Sequence, residues 1–143
     1  MRVVLDTNIL ISALLWGGVP YRLLQLAQSG EIKLITSPTL IAELADVLGR
    51  EYLSSRIAAQ NLSAEQLSSQ YCLVAQMVLP QNVLAVIAAD ADDDHVLACA
   101  LEGRADLIVS GDKHLHSLGG QYQGILIVKA IDALKIIGVG FEK

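Results

Sequence analysis

The sequence has few charged residues and no excess of positive charge. Charged residues are 17% of the 143 residues, whereas a typical globular domain has about 25%. Because hydrophobic residues reach 53%, the composition excludes a disordered chain. The formal net charge of −5 argues against a broad basic face that grips nucleic acid. An acidic protein can still act on phosphates if bound cations supply the positive field.

Cysteine is scarce, and long apolar runs are missing. Cys72 and Cys99 form neither a CxxC pair nor a zinc-ligand set, so we expect both to be reduced core residues. Asp6 interrupts the apolar stretch that a secretory signal needs. The apolar run at residues 9–16 is far shorter than the roughly 20 residues that cross a bilayer. These absences predict a cytoplasmic protein without a membrane segment.

Short apolar runs alternate with helical segments along the whole chain. A length of 143 residues fits one domain, residues 1–143. The expected strands are residues 2–5, 33–36, 83–87, 107–109 and 125–128. The expected helices are residues 9–15, 20–28, 38–48, 93–102 and 130–137. Two further helices, joined near Asn61, are expected between residues 51 and 81. Strands that are continuous apolar runs predict a parallel sheet covered on both faces. We therefore expect a three-layer α/β/α sandwich around a mainly parallel sheet of about five strands.

The chain is unusually apolar for a small domain. Its mean hydropathy is +0.50, and residues 9–20 carry no charge. Such a surface suggests that a partner or a second copy covers part of it, so we expect a homodimer or higher oligomer. Trp16 and Tyr21 flank Gly17-Gly18-Val19-Pro20. Core or local packing is the more usual role of such residues, and an interface or base-stacking role is the alternative.

Acidic residues recur where predicted strands end. Asp6 follows the first strand, residues 90–94 follow strand 83–87, and Asp112 follows strand 107–109. Ligands of open α/β sheets bind outside the carboxyl ends of the strands. Each carboxylate alone is also typical of a helix cap or a turn. Together at one edge they would repel one another unless cations intervene, which favours a metal site.

Helical spacing separates the other acidic candidates. Asp93 lies three and four residues before Val96 and Leu97, so it shares the face of an apolar stripe and needs a cation or donors there. Asp94 is turned about 100° away, and we expect it to be a neighbour of the site rather than its main ligand. Glu43 lies at the border of the apolar stripe of its helix, where a glutamate is more usually just a partly exposed surface residue.

The order and local context of these residues resemble a known family, the PIN domain. The resemblance rests on Val4-Leu5-Asp6-Thr7-Asn8, on Glu43 in the helix after Ser37-Pro38, on Asp92-Asp93-Asp94 before an apolar helix, and on Ser110-Gly111-Asp112. The stretch Gly-Asp-Lys-His-Leu at residues 111–115 is similar to the members described as toxins of toxin–antitoxin pairs. Ala91 departs from the pattern, because this subgroup often has proline there.

The resemblance implies a metal-dependent endoribonuclease that uses Mg²⁺ or Mn²⁺, has RNA as its substrate and pairs with a cognate antitoxin protein. Its implied catalytic residues are Asp6, Glu43, Asp93 and Asp112, with Asp6, Asp93 and Asp112 as metal ligands and Asp94, Thr7, Asn8 and Ser110 in support. Such carboxylates are the ligands that Mg²⁺ and Mn²⁺ prefer.

Three other functions compete with this interpretation. A receiver-like signalling domain also places aspartates around Mg²⁺, but it would have an acidic pair after its first strand, where this chain has Asp6 alone. A phosphohydrolase with an aspartyl nucleophile would have a second aspartate at position 8, which is Asn8. A catalytically silent RNA- or protein-binding module is the third, since fold alone does not decide function.

Overall fold

The computed structural model describes residues 1–81 and 91–138. Its strands are β1 Arg2–Leu5, β2 Lys33–Thr36, β3 Gln76–Met77, β4 Leu107–Val109, β5 Gln121–Tyr122 and β6 Ile125–Val128. Its helices are α1 Thr7–Leu15, α2 Gly18–Gln28, α3 Pro38–Leu48, α4 Ser54–Ala58, α5 Ala64–Val74, α6 Ala91–Glu102, α7 Lys113–His116 and α8 Ala130–Gly138, with a 3₁₀ turn at Glu51–Leu53.

The strands of the described residues form one sheet in the order β3-β2-β1-β4-β6-β5. All neighbouring pairs are parallel except β5 with β6. The chain moves from β1 to β2 and β3 on one side and then returns to β4 on the other side of β1. The neighbouring parallel strands β2, β1 and β4 therefore end side by side at the same edge of the sheet.

The sheet separates two hydrophobic cores. Val3 and Leu5 face one core, which α1, α2, α5 and α8 cover. Val4, between them, faces the other core, where residues of α6 and α7 pack. Because alternate residues of a strand point to opposite faces, a strand buried on both sides must be apolar throughout. The predicted three-layer sandwich with a mainly parallel sheet is confirmed.

Local sequence signals set the helix starts. Asp6 caps α1, and its side chain accepts a hydrogen bond from the Ile9 amide. Ser37 caps α3 and is followed by proline at the first helical position. Ser63 and Gln66 form a reciprocal capping box at the start of α5. Each cap satisfies an amide that the helix itself leaves without a partner.

The strand predictions were correct where short runs are apolar and incomplete at the sheet edges. Four of the five predicted strands are β1, β2, β4 and β6, and the fifth, at residues 83–87, lies outside the described residues. The sequence did not predict β3 or β5. Each has two residues, and β3 is exposed, so neither carries a hydrophobic pattern.

Two predictions around α5 were wrong. The second of the two helices expected between residues 51 and 81 should include Val78, but α5 ends at Val74, and the Val78 amide donates to the carbonyl of Thr36, the last residue of β2. Cys72 was expected in the core, but it is exposed, whereas Cys99 is buried. The buried face of α5 is formed by Leu67, Ser68 and Tyr71, and the next residue along a helix points away from that face.

Within the ranges 1–81 and 91–138, no single helix is long and apolar enough to span a membrane. Together α1 and α2 reach the required length and composition, but they meet at an angle of 88°. The bend lies at Gly17 and Gly18, whose φ angles are +83° and +72°. Only glycine adopts such angles without strain.

Candidate active site

A small cleft opens where the central strands end. The direction of strand order reverses between β1 and β4, and ligands of parallel α/β sheets bind at such a switch point. The cleft has a volume of about 60 Å³. The described residues that line it are Asp6, Thr7, Asn8, Glu43, Asp93, Val96 and Asp112. The four carboxylates singled out from the sequence therefore share one cleft.

Asp6 is held rigidly between α1 and the end of β4. Its Oδ1 accepts from the Ile9 amide at 2.9 Å, and its Oδ2 accepts from the Ser110 hydroxyl. The backbone amide of Asp6 donates to the Val109 carbonyl at 3.1 Å. The residue is only 6% exposed. These bonds fix the carboxylate at the floor of the cleft before any ligand arrives.

Burial raises the pKa of the Asp6 carboxyl above its ordinary value of 3.8. Loss of solvation is the largest cause, and the nearby Asp112 charge adds to it. The hydrogen bonds from Ser110 and Ile9 act in the opposite direction, because they stabilise the ionised form. A bound cation would also lower the pKa of Asp6, because it too stabilises the ionised form.

Ser110 connects two of the carboxylates. It is fully buried, and its Oγ donates to Asp6 while it accepts from the Asp112 amide at 2.9 Å. Nε2 of His116 lies 2.6 Å from the Ser110 carbonyl oxygen, to which a protonated Nε2 donates. Asp112 also caps α7, where its Oδ1 accepts from the His114 amide at 2.6 Å. Ser110 was predicted as a supporting residue, whereas this contact of His116 was not predicted.

The acidic run at residues 92–94 begins inside α6 rather than before it. The helix starts at Ala91, two residues earlier than the predicted start at residue 93. Asp90 lies outside the described residues. Asp93 lines the cleft, as its spacing from Val96 predicted. Asp94 does not line it, yet both are only 6% exposed. Asp94 was expected to turn away from the apolar stripe, and helical spacing did not indicate its burial.

Glu43 reaches the cleft from α3. It is half-buried, in agreement with its place at the border of the apolar stripe, and it lines the cleft. Asp46, three residues later, is exposed and pairs with Arg50 at 3.6 Å. Helical spacing also directs Asp46 to solvent, more squarely than Glu43, and the structure agrees.

Comparison with known proteins decides the family. The PIN domain family matches residues 2–114. The chain belongs to the PIN domain family. The matched range contains β1, α3, α6 and the end of β4, and therefore all four carboxylates of the cleft.

PIN domains are generally nucleases, and those nucleases typically use divalent metals. This PIN domain is 31% identical over 119 residues to an uncharacterized protein of Methanocaldococcus jannaschii, an alignment that covers 82% of this chain and 75% of that protein. No solved structure matches the chain significantly.

The chemistry of the cleft fits a hydrated divalent cation. Neither lysine nor arginine is among the described residues that line this PIN-domain cleft, so an anionic phosphate would be repelled without a cation. The volume of about 60 Å³ accommodates several water-sized groups, since a water needs about 10–15 Å³. In the part of the chain that the structure describes, no three Asp, Glu, His or Cys side chains are placed to hold one ion together. Mg²⁺ is usually bound directly by only one or two carboxylates, and water molecules fill its remaining coordination positions.

Proposed function

We propose that this PIN domain is a Mg²⁺- or Mn²⁺-dependent endoribonuclease that hydrolyses RNA phosphodiester bonds at the carboxylate cleft. The observation that carries the proposal is the convergence of Asp6, Glu43, Asp93 and Asp112 on one cleft whose described lining has no basic residue. These residues come from four separate elements, so helix capping alone does not account for their common position.

Asp6, Asp93 and Asp112 would hold the cation, directly or through water. Asp6 and Asp93 are the more buried of the three, and Asp6 is already oriented by Ser110 and Ile9. When bound, a divalent cation neutralises phosphate charge and makes a water more acidic.

The remaining residues of the cleft would position the reacting groups. Glu43 is half-buried, so its carboxylate can accept a hydrogen bond from the attacking water and orient it. Thr7 and Asn8 supply a hydroxyl and an amide at the entrance to α1, and both can donate to phosphate oxygens. The cleft offers no nucleophilic serine or cysteine among the described residues that line it, in keeping with direct attack by water.

Binding of the cation is tested first, without RNA. Mg²⁺ or Mn²⁺ should raise the melting temperature, because a ligand present at about 100 times its Kd stabilises the folded state by about 2.7 kcal/mol. Asp93→Asn should reduce that rise strongly, and Asp46→Asn, which removes an exposed carboxylate of α3, should keep it. Equal metal-induced shifts in wild type and Asp93→Asn would refute the assignment of the site.

Cleavage is tested on total cellular RNA with mapping of the new ends, since a single oligonucleotide need not contain the target. Wild-type protein with Mg²⁺ or Mn²⁺ should cut RNA internally, and EDTA should stop it. Asp93→Asn should be roughly 100-fold slower or worse, the scale for loss of one preorganised electrostatic group, whereas Asp46→Asn should cut at the wild-type rate. Intact RNA in the metal-loaded wild-type reaction would favour a silent binding module instead.

We further propose that the protein acts in the cytoplasm as the toxin of a toxin–antitoxin pair and self-associates. Exposed apolar side chains such as Leu73, 88% exposed, and Leu79, 62% exposed, support a covered surface. A small open reading frame for a DNA-binding protein beside this gene would support the pairing. Light scattering of the purified protein should give at least a dimer, and a strict monomer at high concentration would contradict self-association.

A further inference from the structure

The C-terminal end of α1 carries an exposed aromatic–arginine stack. Trp16 follows the last residue of α1 and is 51% exposed. The guanidinium carbon of Arg56 lies 4.9 Å from the centroid of its ring. Arg56 Nε donates to the Leu15 carbonyl at 3.1 Å, which fixes the guanidinium over the ring. Because Gly17 and Gly18 turn the chain sharply after Trp16, the ring stands at an outer corner.

Arg56 has no counter-charge among the residues that the structure describes, in a protein that is acidic overall. Its Nε is used by the Leu15 carbonyl, and its Nη nitrogens have neither an ion pair nor a hydrogen bond to any residue that the structure describes. No Asp or Glu occurs from residue 7 to residue 30, although the chain has a net charge of −5. Glu51 is five residues before Arg56 and so lies on a different face of that segment. The stack is therefore suited to an anionic ligand.

One face of α1 connects the stack to the carboxylate cleft. Asn8, Ser12 and Trp16 are spaced four residues apart, so they lie along the same side of the helix. Asn8 lines the cleft, Ser12 is half-buried and Trp16 is exposed. The nine residues of α1 span roughly 14 Å. A ligand that leaves the cleft along this face reaches the Trp16 ring after a short distance.

A second exposed aromatic residue, Tyr52, lies on the same segment as Arg56. Tyr52 is 71% exposed and precedes Arg56 by four residues across the 3₁₀ turn and α4, which places it on the same side of this segment. Aromatic rings beside an arginine are the surface on which unpaired bases stack while the guanidinium meets phosphate. A duplex would not present such bases.

We propose that the Asn8–Ser12–Trp16 face of α1, with Arg56 and Tyr52, is the binding track for single-stranded RNA, and that a base outside the cleft stacks on Trp16. The proposal rests on the proposed ribonuclease function. It adds the residues that bind the RNA strand away from the carboxylates.

Binding is measured in EDTA, where no cleavage occurs, with a labelled oligouridylate of about 12 nucleotides, within the usual range of about 4–16 nucleotides for single-strand sites. Trp16→Ala should weaken binding by roughly 5- to 150-fold, the contribution of stacking one base on an aromatic ring. Arg56→Gln should lower the slope of log Kd against log salt by about 0.7, the value for one phosphate contact on a single strand. Arg104→Gln is the matched control, because Arg104 is exposed just after α6, which packs on the face of the sheet opposite α1.

Trp16 is the single tryptophan of the chain, so its fluorescence reports the contact without any mutation. Unlabelled oligouridylate should quench it with the same Kd as the labelled strand. The melting temperatures of the variants show that each is folded. In cleavage assays Trp16→Ala should raise KM and preserve kcat, since the ring is remote from the cleft.

The outcomes separate this proposal from the nuclease proposal. If wild type cuts RNA but oligouridylate does not quench Trp16, or Trp16→Ala binds and cuts as wild type does, the track is wrong while the nuclease remains. Quenching by oligouridylate without any cleavage of cellular RNA would support the track and contradict the nuclease. Absence of both binding and cleavage would overturn both proposals and leave the stack as a protein contact.

Discussion

Removal of the Ser110 hydroxyl should destabilise the folded protein in a pH-dependent way. Ser110 is fully buried, and Ser110→Ala deletes a hydrogen bond to the Asp6 carboxylate and one from the Asp112 amide. A hydrogen bond to a charged group contributes about 1.5–3 kcal/mol and a neutral one about 0.5–1.5 kcal/mol. We therefore expect a loss of about 2–4 kcal/mol near neutral pH. For a chain of this size that lowers the melting temperature by about 6–15 °C.

The sign of the pH dependence follows from Asp6. The Ser110 bond lowers the pKa of Asp6 against the larger effect of burial, so its removal raises that folded-state pKa further. The variant then loses stability more steeply than wild type as the pH rises through the folded pKa. The difference in unfolding free energy should be largest at about pH 7.5 and should shrink toward about pH 4, where Asp6 becomes protonated and its bond to Ser110 loses its charge-assisted part.

Ser68→Ala is the matched control. Ser68 is also buried, on α5, but its hydroxyl has no hydrogen-bond partner among the described residues. Deletion of an unsatisfied buried hydroxyl is neutral or stabilising by about 1 kcal/mol. For both variants, thermal unfolding and denaturant unfolding are measured in EDTA at several pH values. Equal losses for the two serines, or a Ser110→Ala loss that does not change with pH, would refute the reasoning.

Three further predictions follow from the packing and charge of the fold. Asp6→Asn keeps the α1 cap but removes the buried charge. Because the pKa of Asp6 is raised, ionisation lowers wild-type stability as the pH rises, so in EDTA the melting temperature of the variant should increase relative to wild type between about pH 4 and about pH 7.5. A difference that does not change with pH would contradict this. Gly103→Ala places a Cβ 2.5 Å from Ile35 Cγ2 and should cost about 1–3 kcal/mol in denaturant unfolding, whereas Gly111→Ala, with open space around the new atom, is the control. Burial raises the pKa of the Cys99 thiol to about 12, whereas Cys72 is exposed. A thiol reagent should therefore modify only Cys72 in the native protein and both cysteines after denaturation. Rapid modification of both in the native state would contradict the burial of Cys99.

Local sequence patterns determined most of the architecture and the identity of the carboxylates. Continuous apolar runs mark a strand buried on both faces. Asp6 follows one such run directly, and Asp112 follows another after two intervening residues. The spacing of Asp93 from Val96 predicted that it lies in the cleft, because side chains three and four apart share a face of a helix. These signals lie within a few residues of each other and depend on backbone geometry alone.

The tertiary structure decided what depends on contacts between distant segments. The bond between Ser110 and Asp6 joins residues 104 positions apart, and the Arg56–Trp16 stack joins α4 to the end of α1. The two-residue strands β3 and β5 form only because a sheet edge is already present to pair with them. No periodic pattern encodes such pairings, since each partner is typical of an ordinary surface or turn residue until the fold brings the two together.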